Sequence, residues 1–514
     1  MYTIIIIIET EIKRISGIYL FDLDCARLFT GVGLIGRTLK ELYIDGRCAL
    51  YYSLSLSLDP LPALTHLTIK LKFGPRYISA EYYKSVSKEM RQTMQTRNSN
   101  NNNYNLVFLC LDSEFRCCYD IKQVIRRCPR LEFLMVSDCT IYEYPEASAI
   151  EFAQFLELCP SIRYINWGED TIPSNIEKEW LTLARRRSRD ADHEYSNHCG
   201  KREANHLRQV GFCSYYEQQH ISALTRVLQQ PSSLEHLHLS GSFQVDLYQL
   251  WKMFTHYNSN LLSRPPPLKS LELVDICISR EKRNGKSFHG LFRHFQHIER
   301  LEMCFFVTAM DSLKKERDYI YKAVRAIGRQ LHQLRYLHLG VDCPVNIDTR
   351  MTLFDNLSTT LCHWNKKLEI LHLNNVSISS DMLLDLCHHS KLHTLKLAGQ
   401  QLHKHVTKDG WVSLARKLKK QEQRRCSTGR IRSILLSCDY CDDVTDEVLK
   451  EFAGVKSLET LQIERNRNIT DEGVNKFASI RNNISKKCKI IKLYCCDNVS
   501  LDNPHVVFVP SSSF

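Results

Sequence analysis

Four histidines are the side chains of this chain with the most evident capacity for chemistry at neutral pH: His236, His238, His338 and His372. Imidazole binds metals and transfers protons between about pH 5 and 8. A metal site or an acid–base pair would require a carboxylate or further ligands at a matching spacing within one element, and none accompanies these histidines. We therefore predict a ladder of solvated histidines.

The cysteines offer one further candidate site, a Cys-x-x-Cys pair formed by Cys438 and Cys441. Zinc requires four ligands in a tetrahedral array, and no second pair lies nearby. The chain also lacks a glycine-rich phosphate loop and a nucleophile elbow. The sequence therefore predicts neither a metal nor a cofactor, and it favours a protein that is not an enzyme.

A basic cluster precedes residue 432, in a chain whose formal net charge is +12. Its members are Lys417, Lys419, Lys420, Arg424, Arg425, Arg430 and Arg432. A nuclear-import signal or a nucleic-acid patch is one interpretation. Binding of single-stranded nucleic acid would favour interleaved aromatic residues for base stacking, and these are absent. We interpret the cluster as a solvated helix face and loop, and we expect no nucleic-acid partner.

The elements that must position all of these residues are indicated by a recurring pattern, Leu-x-x-Leu-x-Leu. Its clearest copies have their first anchors at Leu131, Leu234, Leu268, Leu334, Leu368, Leu392 and Leu458. Looser copies begin at Leu39, Leu64, Leu106, Ile162, Ile298, Ile431 and Cys488. This gives fourteen candidate repeats. Longer gaps before Leu106, Leu234 and Ile431 are expected to be insertions.

One repeat of this kind is a short strand followed by a helix that returns the chain to the next strand. Neither element can bury its apolar side alone, so neighbouring repeats must stack. The sequence therefore predicts an α/β leucine-rich repeat solenoid, a horseshoe with a parallel β-sheet on its concave face and helices on its convex face. Because strand side chains alternate, the anchors point into the core and the residues between them point onto the concave face.

The concave positions of the central repeats are rich in His, Tyr, Arg and Glu, which are side chains suited to holding a protein target. We select nine as candidate protein-binding residues: His236, His238, Glu272, Arg300, Glu302, Tyr336, His338, His372 and Lys396. For each one, a solvated position that contacts no partner remains an alternative.

The repeats also divide the chain into segments. Residues 1–38 form an N-terminal segment without a strong repeat, and 39–167 hold repeats interrupted by an Asn-rich loop near 84–105 that we expect to be disordered. Residues 168–216 read as a charged insertion, 217–500 as regular repeats and 501–514 as a C-terminal tail.

The helix-leading turns carry their own signals. Thr445 and Thr470 each stand before an acidic residue at an expected helix start, where a hydroxyl can cap free amides and a carboxylate favours the positive helix end. Asn466 follows the last anchor of its strand and can satisfy the backbone as the chain leaves it. We therefore assign these turns a structural role.

The chain contains 21 cysteines, many of them beside strand anchors, such as Cys110, Cys128, Cys139, Cys159 and Cys438. In this distribution, buried free thiols are more plausible than a disulfide framework. The N-terminal run of five isoleucines lacks a basic flank and is too short for a signal peptide or membrane span. We expect a protein of the cytoplasm or nucleus with no membrane partner.

Three motifs resemble the cysteine-containing class of leucine-rich repeats. They are Cys-Pro-Arg-Leu-Glu-Phe-Leu-Met-Val-Ser-Asp-Cys at 128–139, Cys-Pro-Ser-Ile at 159–162 and Ile-Thr-Asp-Glu-Gly-Val at 469–474. Repeats of this class occur in ribonuclease-inhibitor-like horseshoes and in F-box/leucine-rich-repeat proteins. The Cys-Pro preceding a strand resembles fungal members of that family.

The resemblance implies the substrate-recognition subunit of an SCF-type, cullin-RING ubiquitin ligase, acting in protein degradation. Such a subunit is a monomer within a hetero-complex, with its target on the concave face and an F-box module docked on the cullin adaptor. No F-box pattern occurs before Leu39, where residues 12–25 offer the only room, so 1–38 are expected to be a degenerate or truncated docking module. The alternative is a scaffold or regulator of the cell cycle or of a GTPase, in which Arg300 or Arg335 would be the donated arginine.

Overall fold

The computed structural model of this chain describes part of its 514 residues in detail. The described residues are 7–8, 14–16, 40–47, 63–72, 104–113, 124–137, 161–169, 208–213, 234–240, 268–277, 292–293, 295–306, 313–342, 367–376, 378–387, 389, 391–399, 406–423, 431–437, 443–464, 466–484, 490–494, 496, 498–500 and 506–508. The chain forms two compact units, Met1–Ser240 and Gly241–Phe514. We call them unit 1 and unit 2.

A strand occupies each of the fourteen predicted repeats, and every one begins two residues after the first anchor. In unit 1 the described strands are β1 (Ile7–Ile8), β2 (Arg14–Ser16), β3 (Glu41–Arg47), β4 (His66–Lys72), β5 (Phe108–Ser113), β6 (Phe133–Ser137), β7 (Tyr164–Glu169), β8 (Gln209–Cys213) and β9 (His236–Ser240). In unit 2 they are β10 (Ser270–Cys277), β11 (Arg300–Phe306), β12 (Tyr336–Asp342), β13 (Ile370–Asn374), β14 (Thr394–Ala398), β15 (Ser433–Ser437), β16 (Thr460–Glu464), β17 (Ile490–Tyr494) and β18 (Val506–Phe508).

Within each unit, consecutive strands pair in parallel with their anchors in register. In unit 2, Leu301 pairs with Leu337, Leu337 with Leu371 and Leu371 with Leu395. The same register runs from β2 to β9 in unit 1, where β1 pairs antiparallel with β2. The predicted leucine-rich repeat solenoid with about fourteen repeats is confirmed.

Besides β1, three strands lie where the sequence predicted none. Strand β8 pairs with β7 and β9, so a further strand of the sheet lies within the segment 168–216. Its pattern, Leu207-x-x-Val210-x-Phe212, departs from leucine at two of three anchors. Strand β2 lies within 12–25, and β18 lies within the expected C-terminal tail. The Asn-rich loop near 84–105, except for residues 104–105, and most of the charged insertion fall outside the described residues.

Burial alternates along the strands as the repeat pattern predicts. Leu371 and Leu373 of β13, and Leu395 and Leu397 of β14, are at most 1% exposed, whereas the residues between them are half-buried. Complete burial of one such side chain contributes about 1.5–3 kcal/mol. We call the side of the sheet opposite to these anchors the outer face.

Five helices are described along their full length, and all of these lie in unit 2. They are α1 (Leu313–Gln330), α2 (Ser380–Leu386), α3 (Lys408–Gln423), α4 (Asp446–Ala453) and α5 (Asp471–Ile484). Each buries an apolar side, such as Trp411, Leu414 and Leu418 of α3 or Val448, Leu449 and Phe452 of α4. The spacing of these residues by three or four positions places them on one face of each helix.

The cysteines that can be assessed are free thiols. Cys110, Cys128, Cys387 and Cys496 are buried, and Cys304 is half-buried. Burial raises the pKa of the Cys387 thiol to about 12, so it stays protonated and unreactive. The burial predicted for Cys110 and Cys128 is confirmed, whereas Cys139, Cys159 and Cys438 lie outside the described residues.

Asn466 closes the turn after β16 as predicted. Its side-chain amide donates to the carbonyl of Val444 at 3.0 Å. Its Oδ1 accepts hydrogen bonds from the backbone N–H groups of Asn468, at 2.8 Å, and Ile469, at 3.0 Å. The side chain is fully buried, so it satisfies backbone groups that water does not reach.

The capping prediction is confirmed at one helix and wrong at the other. The hydroxyl of Thr470 accepts from the N–H of Gly473 at the start of α5, at 3.3 Å. Thr445 stands at the N-cap of α4 but makes no side-chain capping bond. Its hydroxyl is buried and has no hydrogen-bond partner in the part of the chain that the structure describes.

The first turns of α4 and α5 are joined directly. Asp446, the first residue of α4, accepts from the backbone N–H of Thr470 at 2.9 Å and from its hydroxyl at 2.7 Å. Gly473, the third residue of α5, makes room for this carboxylate, since a Cβ at that position would overlap Asp446. A glycine third in α3, Gly410, stands in the same relation to Ser380 of α2.

Arg481 of α5 joins the same two repeats at their other end. Its buried guanidinium donates to the carbonyls of Ala453, Val455 and Leu458, where the chain leaves α4 and enters β16. These carbonyls lie at a helix end and in a turn, where the backbone lacks helical or strand partners. The arginine therefore has a structural role.

Gly473→Ala is expected to destabilise the protein by about 1–3 kcal/mol, the usual cost of overpacking, even though alanine favours helix. The added methyl group would displace Asp446 and break its two hydrogen bonds to Thr470. Urea unfolding followed by circular dichroism would measure the loss. Lys476→Ala, at an exposed site of the same helix, is the control and should stay within about 0.5 kcal/mol of wild type. Equal stability of the two variants would contradict the close helix contact.

A candidate protein-binding face

The outer face of unit 1 is apolar and buried between β4 and β7. His66, Phe108, Phe133 and Tyr164 form a row in which successive ring centroids are 6.2, 6.2 and 4.6 Å apart. All four side chains are at most 9% exposed. The sequence placed such outward positions on an accessible surface, and for these strands that expectation is wrong. Aromatic side chains that stack across strands gain more from burial than from water.

The outer face of unit 2 is different, because at β10–β12 it carries a charged network. The guanidinium of Arg300 donates to the carboxylate of Glu272 on the neighbouring strand at 3.0 Å, and to that of Glu302 on its own strand. It also lies over the ring of Tyr336, 4.1 Å from the centroid. Arg300 therefore joins three strands through two ion pairs and a cation–π contact.

Glu302 is the acceptor on which this network converges. Burial alone would raise its pKa, but the hydrogen bond from His338 and the charge of Arg300 outweigh burial and lower the pKa to about 2. Burial and the charge of Glu302 raise the pKa of Tyr336 above its ordinary value. For Arg300, the charges of Glu302 and Glu272 outweigh burial and raise the pKa. All three side chains therefore keep one protonation state across the physiological range.

His338 and His372 extend the network along the sheet. Nδ1 of His338 lies 3.4 Å from Glu302 Oε2, a long hydrogen bond in which the ring N–H donates because an ionised carboxylate only accepts. The rings of His338 and His372 stack with centroids 3.9 Å apart. Burial, with the charges of His338 and Lys396, lowers the pKa of His372 to about 3.

These two histidines are therefore not the solvated ladder that the sequence predicted. The side chain of His338 is 18% exposed, and its Nε2 is buried without a hydrogen-bond partner among the residues that the structure describes. Strand pairing aligns the two rings at neighbouring positions, where each covers one face of the other. His236 and His238 are half-buried on β9 and belong to unit 1.

Lys396 lies next to His372 in the same row of this face. Its register partners are His372 on β13 and Leu435 on β15. Ile370 and Leu435 are half-buried apolar side chains on the same face as Lys396. Both stand at outward positions of the repeat pattern, but neither is among the nine candidate binding residues. Two aliphatic side chains beside a lysine are the sequence pattern that could have indicated them.

Seven of the nine predicted residues therefore come together on one face: Glu272, Arg300, Glu302, Tyr336, His338, His372 and Lys396. We call this surface of β10–β14 the polar face. His236 and His238 belong to the other unit, so they are not assigned to it.

The basic cluster makes more contacts than a solvated helix face would. Lys417 donates to the carbonyl of Leu384 near the end of α2 at 2.8 Å, where a positive charge also complements the helix dipole. Lys419 and Arg416 both bind Glu451 of α4, at 2.7 and 3.3 Å. These bonds tie α3 to its neighbours. Arg424, Arg425 and Arg430 lie outside the described residues.

The other chemical candidates gain no support as sites. Arg300 is held by two carboxylates, and Arg335 lies near Glu299 and Glu369, at 3.9 and 3.7 Å. No group of three potential metal ligands occurs within the described segments, and Cys438 and Cys441 fall outside them. None of the described helices is both long and apolar enough to span a bilayer.

Comparison with known proteins adds little beyond the fold. No family model matches the chain, and no curated protein matches it. A crystal structure of an internalin (inlF) from Listeria monocytogenes aligns over 89% of this chain and 93% of its own, with 11% sequence identity and a TM-score of 0.33. We base no argument on so distant a similarity.

His372 should make the stability of the protein depend on pH. The unfolded chain takes up a proton at this histidine below about pH 6.5, whereas the folded chain does not do so until about pH 3. Stability is therefore lost as pH falls through this window, by about 1–2 kcal/mol between pH 7.5 and 5.0. Glu302 adds nothing to this loss, because its window lies below about pH 4.5.

Urea unfolding at the two pH values would measure the decline. His372→Phe preserves an aromatic ring against His338 and should remove most of this contribution. His332→Gln, at an exposed turn, is the matched control and should decline like wild type. A decline in His372→Phe as large as that of wild type would show that this imidazole is not held neutral in the fold.

Proposed function

We propose that this chain is a non-enzymatic interaction protein that binds a protein target on the polar face of unit 2. The observation that carries the proposal is the network that joins Glu272, Arg300, Glu302 and Tyr336 across three strands. These side chains are pre-ordered by a rigid sheet, and Arg300 remains 46% exposed. Arginine and tyrosine dominate the binding energy of many protein interfaces.

The same electrostatics argue against acid–base catalysis at this face. A general acid or base is most effective when its pKa lies near the working pH. Glu302 and His372 have pKa values of about 2 and about 3, and the pKa of Tyr336 is raised. These three groups would neither gain nor lose a proton near neutral pH. Fixed charges and fixed donors suit recognition.

The finer proposal is that the chain serves as the substrate-recognition subunit of an SCF-type ubiquitin ligase in the cytoplasm or nucleus. It would act as a monomer within a hetero-complex that contains the cullin adaptor. The support is the resemblance of residues 128–139 and 469–474 to F-box/leucine-rich-repeat proteins. Residues 14–16 form a strand paired with β3 in the segment where an F-box helix was sought, so no adaptor-contact residue is assigned there.

Quantitative affinity purification from the protein's own cells, with the proteasome inhibited, would test both target binding by the polar face and the role in a ubiquitin ligase. Three tagged chains would be compared: wild type, Arg300→Glu and the control Arg325→Glu, at an exposed position of α1. We expect all three to recover the cullin adaptor in stoichiometric amounts. Arg300→Glu should specifically lose a target that the other two retain, because it places a third negative charge beside Glu272 and Glu302.

The remaining outcomes separate the proposals. If the adaptor is absent while Arg300→Glu still loses a partner, the chain is a scaffold or regulator and the ligase role is wrong. If Arg300→Glu loses no partner and circular dichroism shows that it is folded, the polar face is not the binding site. A variant that does not fold would be replaced by Tyr336→Ala, which removes the half-buried aromatic ring and leaves both ion pairs of Arg300 in place.

A further inference from the structure

We propose that the β13–β15 part of the outer face docks a short acidic segment of a protein partner. Its carboxylate would lie between Lys396 and His372, and a neighbouring apolar side chain would pack on Ile370 and Leu435. This inference rests on the proposed binding function and specifies the chemistry of the segment that is bound.

The first argument is that neither register neighbour of Lys396 carries a negative charge. Its register partners are a neutral imidazole, His372, and an aliphatic side chain, Leu435. The nearest carboxylate in that row, Glu302, is three strands away on β11, at about 4.8 Å per strand, and is already bonded to Arg300 and His338. A carboxylate from outside the chain would supply the missing counter-charge.

The described acidic residues at the edge of this sheet already pair with other residues of the chain. Glu369 lies 3.7 Å from Arg335, and Glu459 lies 3.9 Å from Arg432. On β16, Glu464 is buried and accepts from the amide of Gln462 at 2.8 Å. The described acids around β13–β15 therefore already have partners of their own.

The second argument is that His372 can donate a hydrogen bond to a carboxylate. A neutral imidazole offers one N–H donor. The low pKa of His372 is caused by burial and by the positive charges around it, so a bound carboxylate would act in the opposite direction and favour its protonation. Tyr336 and Glu302 on the neighbouring strands keep their protonation states, and Lys396 is the cation nearest in register.

The third argument comes from the apolar side chains and favours a peptide. Leu435 lies beside Lys396 in the same row, and Ile370 lies in the next row on β13. Both are half-buried, so a partner could cover their exposed parts. A nucleic acid would need several lysines or arginines against its phosphates. Glu272 and Glu302 would instead repel phosphates at the other end of the polar face. A segment with one acidic and one adjacent aliphatic residue matches the chemistry that is present.

The distribution of charged side chains along the sheet also sets the direction in which such a segment binds. Of the described side chains in this row, the carboxylates lie at β10–β11 and Lys396 lies at β14, so an acidic residue is attracted at one end and repelled at the other. Like-charge placement discriminates more strongly between binding registers than attraction alone. The partner's acidic residue should therefore seat at β14.

The experiment is selection of peptides from a random 12-residue phage library on the immobilised full chain. Sequences enriched on wild type should pair Asp or Glu with an adjacent Leu, Ile or Val. The most enriched peptide would then be synthesised and its affinity measured against wild type, Lys396→Glu and Lys420→Glu. Lys420 is exposed on α3 and provides the matched charge reversal away from the sheet.

We expect Lys396→Glu to weaken binding by at least about tenfold and Lys420→Glu by less than about twofold, because only the first reverses a contact charge. Neither substitution removes an observed hydrogen bond or ion pair of the described residues, so both variants should fold.

Several results would overturn the inference: enrichment of basic peptides, no enrichment at all, or an acidic peptide indifferent to Lys396→Glu. Displacement of the peptide by millimolar inorganic phosphate would show a site for small anions and not for an acidic segment. The broader binding function is judged separately by the partners lost in Arg300→Glu. Failure of the peptide site and failure of the polar face as a whole are thus distinguishable.

Discussion

The register of the leucine anchors is the constraint on which the rest of this molecule depends. Each strand is short, so its pairing with the next strand could in principle slip by one residue. Such a slip would expose a fully buried leucine anchor and bury the polar residue beside it, and this cost fixes the register. Correct register in turn aligns Glu302, His338, His372 and Lys396 across four strands. The polar face is thus a product of core packing, although none of its residues belongs to the core.

The equivalent outward positions of the strands carry different kinds of side chain in the two units. In unit 1 the outward positions of β5 and β6 hold aromatic and apolar residues, which stack and are buried. In unit 2 they hold charges that pair with one another, and the pairs remain half-exposed because ionised groups resist complete removal from water. One sheet architecture therefore yields a closed apolar row in one unit and an accessible polar surface in the other.

Most of the fold could be predicted from the anchors, because their spacing states both the period and the side of each strand. Strand β8 was missed since Val210 and Phe212 replace leucine and Gly211 occupies the outward position. The membership of the polar face was also predictable, as outward residues of successive strands align. The sequence could not predict how deeply these side chains are buried or which residues surround them. Whether His338 and His372 are solvated or stacked depends on the depth of the surrounding face, and the failed cap at Thr445 depends on its neighbours in space.

The buried thiol of Cys387 has a consequence for how this array would come apart. Cys387 ends α2, and its carbonyl accepts from Gln421 of α3 at 2.9 Å, so it lies at the junction of two repeats. Because its thiol is protonated and shielded, alkylating reagents would reach it only after that junction opens. Cys110 and Cys128 are likewise buried free thiols in the other unit. The chain thus carries intrinsic chemical reporters of local opening, one set in each unit, which would reveal whether the two halves of the solenoid lose their structure together or in turn.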